Sequence, residues 1–496
     1  MTLPDSFSTR QPACCGDPTP VAATGACCSD PAPTCGCQSN PHEAATRESI
    51  SAVATSQPVR LPVAVIGGGP IGLAAAAHLL EKGETPVVLE AGAAVGAAIR
   101  EWAHVRLFSP WKYLVDPAVR RLLEPSGWRL PNEDRLPTGA ELVTQLLEPL
   151  ANHPRIAPTI RLGARVVAVT RRGHDKVKSV GREGAPFELS VLRADGARER
   201  VLARAVIDAS GTWFSANPIG AGGLVAEGEV EHADRIRYGI PDVRGRERSR
   251  YAGRATLVVG SGHSAFNSIL ELVALADEEP TTEVIWAVRR SSVGQMFGGG
   301  ENDQLEARGT LGARVRRLVS EGRVRLITGF RAAAVRDEGN SLAVVSDDGS
   351  RLGPVDEIVV ATGFRPDLSL GRELRLRLDP WLEAPEALAP LIDPNVHSCG
   401  TVYPHGAAEL AHPEKDFYVV GMKSYGRAPT FLLLTGYEQV RSVVCALVGD
   451  EEGARNVELV LPETGVCQTD LGESSADSCC GTSTVSLGRR AVASQY

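Results

Sequence analysis

The stretch at residues 61–73 constrains the fold of this chain more than any other. Its apolar residues 63–66 predict a buried parallel strand, and the apolar run stops at a glycine. Glycines in the spacing G-x-G-x-x-G follow, and an alanine-rich helix is predicted over 71–82, with Gly83 at its end. Strand, glycine-rich turn and helix in this order predict an α/β, Rossmann-like dinucleotide-binding fold.

Each glycine of this motif has its own physical reason. Gly67 allows the tight turn, Gly69 lets a pyrophosphate approach the backbone, and Gly72 lets the helix pack on the strand. The free N–H groups at the helix start suit the phosphates. A second strand is predicted to end in Glu90, whose carboxylate would accept hydrogen bonds from an adenosine ribose. The alternative is a glycine-rich turn without a ligand, which the order of elements disfavours.

A second glycine motif lies near the middle of the chain. Gly260 and Gly262 repeat the first two glycines, and Ala265 replaces the third. The next predicted strand ends in Arg289 and Arg290, with no acid. An acid there would bond the 2′-hydroxyl of NAD, whereas arginines suit the 2′-phosphate of NADP. A basic pair on the surface is the alternative.

The remaining elements predict two crossings between nucleotide-binding units. Residues 165–169, 187–192 and 200–206 predict a three-stranded meander, after which the chain leaves the first fold. A strand from 357, ending in Ala-Thr-Gly363, is predicted to return it. Further predicted elements are strands at 324–327, 342–346 and 416–420 and helices at 138–150, 312–319 and 430–448.

These crossings divide the chain into a first dinucleotide-binding domain in two parts and an inserted second one. The predicted limits are a cysteine-rich disordered tail at 1–57, the first domain at 58–222 and 354–458, the second domain at 223–353, and a cysteine-containing disordered tail at 459–496. The tails are polar, rich in small residues and without helical or strand periodicity.

Cysteines are concentrated in the two tails, mostly as adjacent or near-adjacent pairs. Thiolates on a flexible chain suit a soft ion. The candidate bound ions are trivalent arsenic or antimony, mercury and copper(I). The spacing is not that of a structural zinc site. A low-complexity tail without a ligand is the alternative. The candidate metal or metalloid ligands are Cys14, Cys15, Cys27, Cys28, Cys35, Cys37, Cys479 and Cys480.

Charge and hydropathy restrict the partners. The net charge of −8 over 496 residues gives no reason to expect nucleic acid or an anionic membrane. The N-terminus lacks the basic and apolar regions of a signal peptide, and no apolar run reaches the length of a membrane span. A cytoplasmic protein acting on a small molecule is therefore expected.

Two nucleotide motifs, two crossings and an inserted domain resemble the two-dinucleotide-binding-domain flavoproteins over about residues 58–455. The chain is most similar to the class B flavin-dependent monooxygenases and the related thioredoxin-reductase-like proteins. Of the monooxygenase fingerprint F-x-G-x-x-x-H, Gly228 and His232 are present but Ala226 replaces Phe. The sequence lacks the C-x-x-C or C-x-x-x-x-C that the disulfide reductases use. The cysteine-rich tails resemble flavoproteins encoded with bacterial arsenic-resistance genes.

This resemblance implies FAD at the first site and NADPH at the second. A polar and aromatic segment at 100–111 could then wrap the flavin edge, with Trp102, His104 and Ser109 as candidate contacts, or it could be a surface loop. Gly363 and Gly421 are predicted to lie at the cofactors. Gly421 precedes Met422 where many relatives have Asp.

The expected function is an NADPH-dependent FAD monooxygenase that oxidises a soft nucleophile, with trivalent arsenicals as candidates. One alternative is an NADPH-dependent flavin oxidoreductase without oxygenation. The other is a metalloid-binding or sensing protein with a structural flavin.

Overall fold

The computed structural model describes residues 60–292, 297, 306–396, 404–429 and 431–459. The predictions for both tails, including every cysteine named above as a candidate ligand, fall outside these residues.

The described residues form strands β1 (Val63–Ile66), β2 (Pro86–Leu89), β3 (Ile160–Arg161), β4 (Ala164–Arg171), β5 (Phe187–Arg193), β6 (Arg198–Ala203), β7 (Ala205–Asp208), β8 (Ile236–Tyr238), β9 (Ala255–Val259), β10 (Glu283–Ala287), β11 (Arg325–Ile327), β12 (Ala332–Asp337), β13 (Leu342–Ser346), β14 (Arg351–Val355), β15 (Glu357–Val360) and β16 (Phe417–Val419).

The helices are α1 (Pro70–Glu81), α2 (Ala97–Glu101), α3 (Pro117–Leu123), α4 (Gly139–Leu142), α5 (Glu148–Ala151), α6 (Arg248–Tyr251), α7 (His263–Glu278), α8 (Glu306–Ser320), α9 (Ala389–Ile392), α10 (Ala407–Leu410), α11 (Leu433–Leu447) and α12 (Glu451–Arg455). In this part of the chain, no helix combines the length and the apolar character needed to cross a membrane.

The first sheet is parallel and confirms the α/β fold class. Its strand order is β16-β7-β1-β2-β3, and every residue of β1, β2 and β7 is buried. Helix α1 packs on this sheet, and α11 packs on α1. At the contact between the two helices, a Cβ on Gly436 would lie 2.5 Å from the Ile71 side chain. The helix predicted from residue 138 begins here with α4, where Thr138 and Glu141 form a capping box.

The second sheet is also parallel, with the order β11-β10-β9-β15-β8. Strand β15 pairs with both β9 and β8, so it belongs to this sheet. The boundary predicted between residues 353 and 354 is therefore wrong, because it separates β15 from its hydrogen-bonded neighbours. The chain returns to the first sheet after β15 and not before it.

Two antiparallel meanders accompany the parallel sheets. The first, β4-β5-β6, was predicted, and the structure ends it at Ala203 with β7 as a separate strand of the first sheet. The second, β12-β13-β14, was predicted only in its middle strand.

The two crossing segments, 209–217 and 361–367, lie side by side between the sheets. The N–H of Asn217 donates to the carbonyl of Gly363 at 2.9 Å, and the N–H of Arg365 donates to the carbonyl of Ser215 at 2.9 Å. The rings of Trp213 and Phe364, one from each segment, lie 4.8 Å apart. The two crossings thus form one paired connection.

Two candidate dinucleotide-binding sites

The first glycine motif forms the turn between β1 and α1, and its outer glycines are required by the protein itself. Gly67 has φ +102°, and a Cβ there would lie 2.7 Å from the carbonyl oxygen of Ala209. A Cβ on Gly72 would lie 2.0 Å from the carbonyl oxygen of Gly67. Both contacts are shorter than real side chains allow, so the turn needs a glycine at each of these positions.

The middle glycine, Gly69, is different. Its backbone is extended, at φ −83° and ψ −174°, and a Cβ there would meet no atom of the described residues within 4 Å. Packing against the described part of the chain therefore does not require a glycine at this point. The open space lies at the first turn of α1, where free N–H groups and the helix dipole favour an anion. The residues present fit a bound pyrophosphate that comes close to the backbone.

Glu90 directly follows β2, and its carboxylate contacts the glycine-rich loop between β1 and α1. One oxygen accepts the N–H of Gly68 and the other accepts the N–H of Gly92, both at 2.6 Å. The side chain is buried. Glu90 thus fixes the glycine-rich loop, a role that sequence reasoning did not assign. Each carboxylate oxygen keeps acceptor capacity, and its contact with a ribose stays a prediction.

The second motif repeats this geometry between β9 and α7. Gly260 has φ +129°, and a Cβ there would lie 2.2 Å from the carbonyl oxygen of Ala361, the counterpart of Ala209. Gly262 is extended, and none of the residues that the structure describes comes within 4 Å of a Cβ there. Ala265 is fully buried in the position of the third glycine. The indole N–H of Trp286 donates to the Gly260 carbonyl at 2.7 Å and holds the loop.

Arg289 and Arg290 follow β10, which pairs in parallel with β9. Both arginines therefore leave the sheet at the edge where Gly260 lies. The Arg289 side chain is exposed and donates to the carbonyl of Ala221 at 2.8 Å. Their contact with a 2′-phosphate stays a prediction that this placement allows.

The polar and aromatic segment after α2 contacts both halves of the molecule. Trp102 packs on Gly139, and its ring lies 6.3 Å from that of Trp213 in the first crossing. His104 has a buried Nε2 that finds no hydrogen-bond partner among the described residues, and Ser109 is buried. Trp102 thus joins an aromatic cluster at the crossing. The predicted flavin contacts of these three residues stay predictions.

The two later glycines differ in surroundings. Gly421 has φ +70°, donates its N–H to Gln439 Oε1 at 2.7 Å, and lies against Ile71 in the first turn of α1. It therefore lies beside the first glycine motif. Gly363 has φ +88°, is exposed, and lies in the second crossing beside Asn217. In the structure, Gly363 contributes a carbonyl acceptor to the paired connection.

A buried ion pair at the carboxyl edge of the first sheet was not predicted. Lys423 Nζ lies 2.8 Å from Asp208 Oδ2 and 3.0 Å from Ser210 Oγ, and both charged side chains are 2% exposed. Asp208 ends β7, directly before the Ala209 carbonyl that covers Gly67. The one available signal was a charged residue ending an otherwise apolar strand. Its partner lies 215 residues away along the chain.

The comparisons with known proteins agree with this geometry. A family model of an NAD(P)-binding Rossmann-like domain matches residues 65–127. Ferredoxin–NADP reductase 1 of Bacillus pumilus is 23% identical over 358 residues, which make up 71% of this chain and 84% of that protein. The bacillithiol disulfide reductase of Bacillus cereus superposes with a TM-score of 0.57 at 20% identity, over 79% of this chain and all of that one.

This chain has the fold of the two-dinucleotide-binding-domain flavoproteins. A second structure with this flavoprotein fold is a cadaverine monooxygenase of Erwinia amylovora bound to FAD, with a TM-score of 0.56 and 14% identity, over 83% of this chain and all of that one. The resemblance inferred from the sequence is confirmed at the level of the fold.

Proposed function

We propose that this chain is an NADPH-dependent FAD oxidoreductase that acts as a monooxygenase on a soft nucleophilic atom. The observation that carries the proposal is the pair of open glycine positions, Gly69 and Gly262. Each lies at the start of a helix on its own parallel sheet, within one folded unit. Two dinucleotides bound in one unit suit hydride transfer from one to the other.

FAD would be held at the first site and would supply the redox chemistry when bound. The N–H groups at the start of α1 would bind its pyrophosphate, and Glu90 would accept from its ribose. The buried Lys423–Asp208 pair fixes the neighbouring strand end, and Gly421 lies against Ile71 in the first turn of α1. The relative bound to FAD supports this cofactor.

NADPH would be held at the second site. The start of α7 would bind its pyrophosphate, and Arg289 and Arg290 would pair with its 2′-phosphate. A guanidinium suits this role because its planar fork matches phosphate oxygens. The similarity to a ferredoxin–NADP reductase supports the phosphorylated nicotinamide cofactor.

Oxygenation is favoured over dithiol exchange because a redox-active cysteine pair is missing from the described core. Cys445 is the sole cysteine within the described residues, and it is buried. The similarity to a cadaverine monooxygenase is in line with oxygen chemistry on this fold. For a trivalent arsenical, NADPH, a proton, dioxygen and R–As(OH)₂ would give NADP⁺, water and R–AsO(OH)₂. Trivalent arsenic and thioether sulfur both offer the lone pair that such a reaction needs.

Labelled dioxygen tests this proposal. NADPH oxidation by the purified protein should be stimulated by methylarsenite or by a small thioether. With a thioether, the sulfoxide should carry one oxygen atom from ¹⁸O₂. Stimulated NADPH oxidation without label in the product would instead support an oxidoreductase that passes electrons to a separate acceptor, the candidate that the ferredoxin–NADP reductase similarity favours.

The cysteine pairs of the tails favour a metalloid as substrate or ligand. Arsenic(III) prefers three thiolates, and neighbouring pairs joined by a short linker reach effective concentrations in the millimolar range. If the tail delivers substrate, deleting residues 1–57 should raise the KM for methylarsenite and leave NADPH-driven flavin reduction unchanged. If it only sequesters metalloid, the kinetics should not change and fewer arsenic atoms should bind per chain. Mass spectrometry of the reduced, full-length protein without any arsenic adduct would contradict both roles.

A further inference from the structure

A cleft of about 850 Å³ opens between the first nucleotide-binding unit and helices α7 and α8 of the second. One wall carries Leu107 and Phe108, and the opposite wall carries Leu270 and Leu311. Its size lies within the range of small-molecule sites. Neither the glycines of the two motifs nor Arg289 lines it, so it is separate from both dinucleotide loops.

The cleft is nevertheless next to the second dinucleotide loop. The ring of Phe108 lies 5.5 Å from that of His263, the first residue of α7. Asn267, one turn further along α7, lines the cleft and donates its side-chain N–H to the His263 carbonyl at 3.0 Å. A molecule in the cleft would therefore lie beside the helix whose N-terminus we assign to NADPH.

The cleft lining carries three acidic and three basic side chains, which are Asp134, Asp242, Glu271, Arg106, Lys112 and Arg314. Lys112 is paired with Asp134 at 2.8 Å, and Glu271 faces Arg244 at 3.8 Å. Asp242 faces Arg246 at 3.7 Å. Two guanidinium groups of the lining form no ion pair with a carboxylate of the described residues.

These two groups are Arg106, which donates to the carbonyl of Leu136 at 2.6 Å, and Arg314 of α8. Apolar walls next to guanidinium groups that form no ion pair suit an organic group that carries one anionic or strongly polar end.

We infer that this cleft binds the organic part of the substrate, so that the preferred arsenical carries an aryl or similar apolar group. The inference rests on the proposed function for the reaction but not for the binding. Inorganic arsenite is little larger than a few water molecules, each of which takes about 30 Å³ in the liquid, and it would leave the apolar walls uncovered. An aryl ring would cover Leu107, Phe108 and Leu311, with the oxidised arsenic group near Arg314.

The test uses phenylarsonate and arsenate, because pentavalent arsenic is not held by tail thiolates. Calorimetric titration of the full-length, FAD-loaded protein should show phenylarsonate binding at least tenfold more tightly than arsenate. Leu311→Trp, which fills the cleft, should weaken phenylarsonate at least tenfold. Val319→Trp, half-buried on the same helix but outside the cleft, should have no effect. Leu107→Trp provides a second filling variant from the opposite wall, should Leu311→Trp not fold.

Arg314→Ala should weaken phenylarsonate about fivefold, as expected for an exposed charge pair, and Arg316→Ala on the same helix should not. Equal affinity for the two anions, or equal effects of Leu311→Trp and Val319→Trp, would overturn the inference. A matching loss of NADPH affinity in Leu311→Trp would assign the cleft to the nucleotide and also overturn it. Phenylarsonate binding at the cleft without any oxidation of phenylarsenite would keep this inference and reject the proposed function.

Discussion

Replacing the middle glycine of either motif by valine should weaken cofactor binding without affecting folding. At Gly69 a Cβ has no atom within 4 Å in the described part of the chain, and the backbone angles suit any residue. Gly69→Val should therefore fold with a stability within about 0.5 kcal/mol of the parent when both lack cofactor. The new side chain would occupy the space assigned to the pyrophosphate. Losing two charge-assisted hydrogen bonds costs about 3 kcal/mol or more, so FAD should bind at least about 100-fold more weakly.

The neighbouring glycine provides the contrast. A Cβ on Gly72 would lie 2.0 Å from the Gly67 carbonyl oxygen. Helix α1 would therefore have to move away from β1 until these two atoms reach a normal contact distance. Overpacking of this kind costs typically about 1–3 kcal/mol. Gly72→Ala should thus lower the unfolding temperature of the protein itself, whereas Gly69→Val should remove the flavin and leave the apoprotein fold intact.

The second site supplies the matched control. Gly262→Val has the same open surroundings, so this variant should keep a normal flavin content and show a KM for NADPH raised at least tenfold. The assay is the molar ratio of flavin to polypeptide in the purified variants, together with NADPH kinetics. A soluble Gly69→Val protein with full flavin content would refute the site assignment. A colourless Gly262→Val beside a yellow Gly69→Val would exchange the two sites.

Three further predictions follow from charged groups. Replacing Arg289 and Arg290 together by Ala should raise the KM for NADPH about tenfold and change that for NADH little, measured by steady-state kinetics. Lys423→Met leaves the Asp208 carboxylate buried without its cation and should lower the free energy of unfolding in urea by about 3–5 kcal/mol. Adding Asp208→Asn should restore part of that free energy, whereas an unchanged free energy in Lys423→Met would contradict the buried pair. Burial lowers the pKa of His412 from 6.5 to about 4, so the folded protein holds this imidazole in its neutral form. The contribution of His412 to the free energy of unfolding is therefore fully present above pH 6.5 and falls by roughly 3 kcal/mol at most as the pH drops through 4. His412→Gln should flatten this pH dependence in unfolding curves at pH 7 and 5.

Local sequence patterns predicted the first motif well because its causes are local. β1, the glycine turn, α1 and β2 follow each other within 27 residues of chain, from Val63 to Leu89, and the observed helix Pro70–Glu81 differs from the prediction by one residue at each end. The second motif was equally accessible. Periodicity and glycine spacing carried both predictions.

Elements that depend on distant partners were not accessible in this way. β15 was placed in the first domain and not with the second sheet because its neighbours, β9 and β8, lie about a hundred or more residues earlier. β12 begins with three alanines, and β14 contains Gly353 and Pro354, so neither has a composition typical of strands. The Asp208–Lys423 pair is likewise visible only once β7 and the segment after β16 lie side by side.

The central claim is that NADPH bound at the second site reduces FAD bound at the first. It is tested most directly by mixing the purified, full-length protein with one equivalent of NADPH in the absence of oxygen and recording the flavin absorbance. We expect bleaching of the oxidised flavin spectrum, with NADH slower at the same concentration, and return of the spectrum when oxygen is admitted. A flavin spectrum that NADPH leaves unchanged would contradict it.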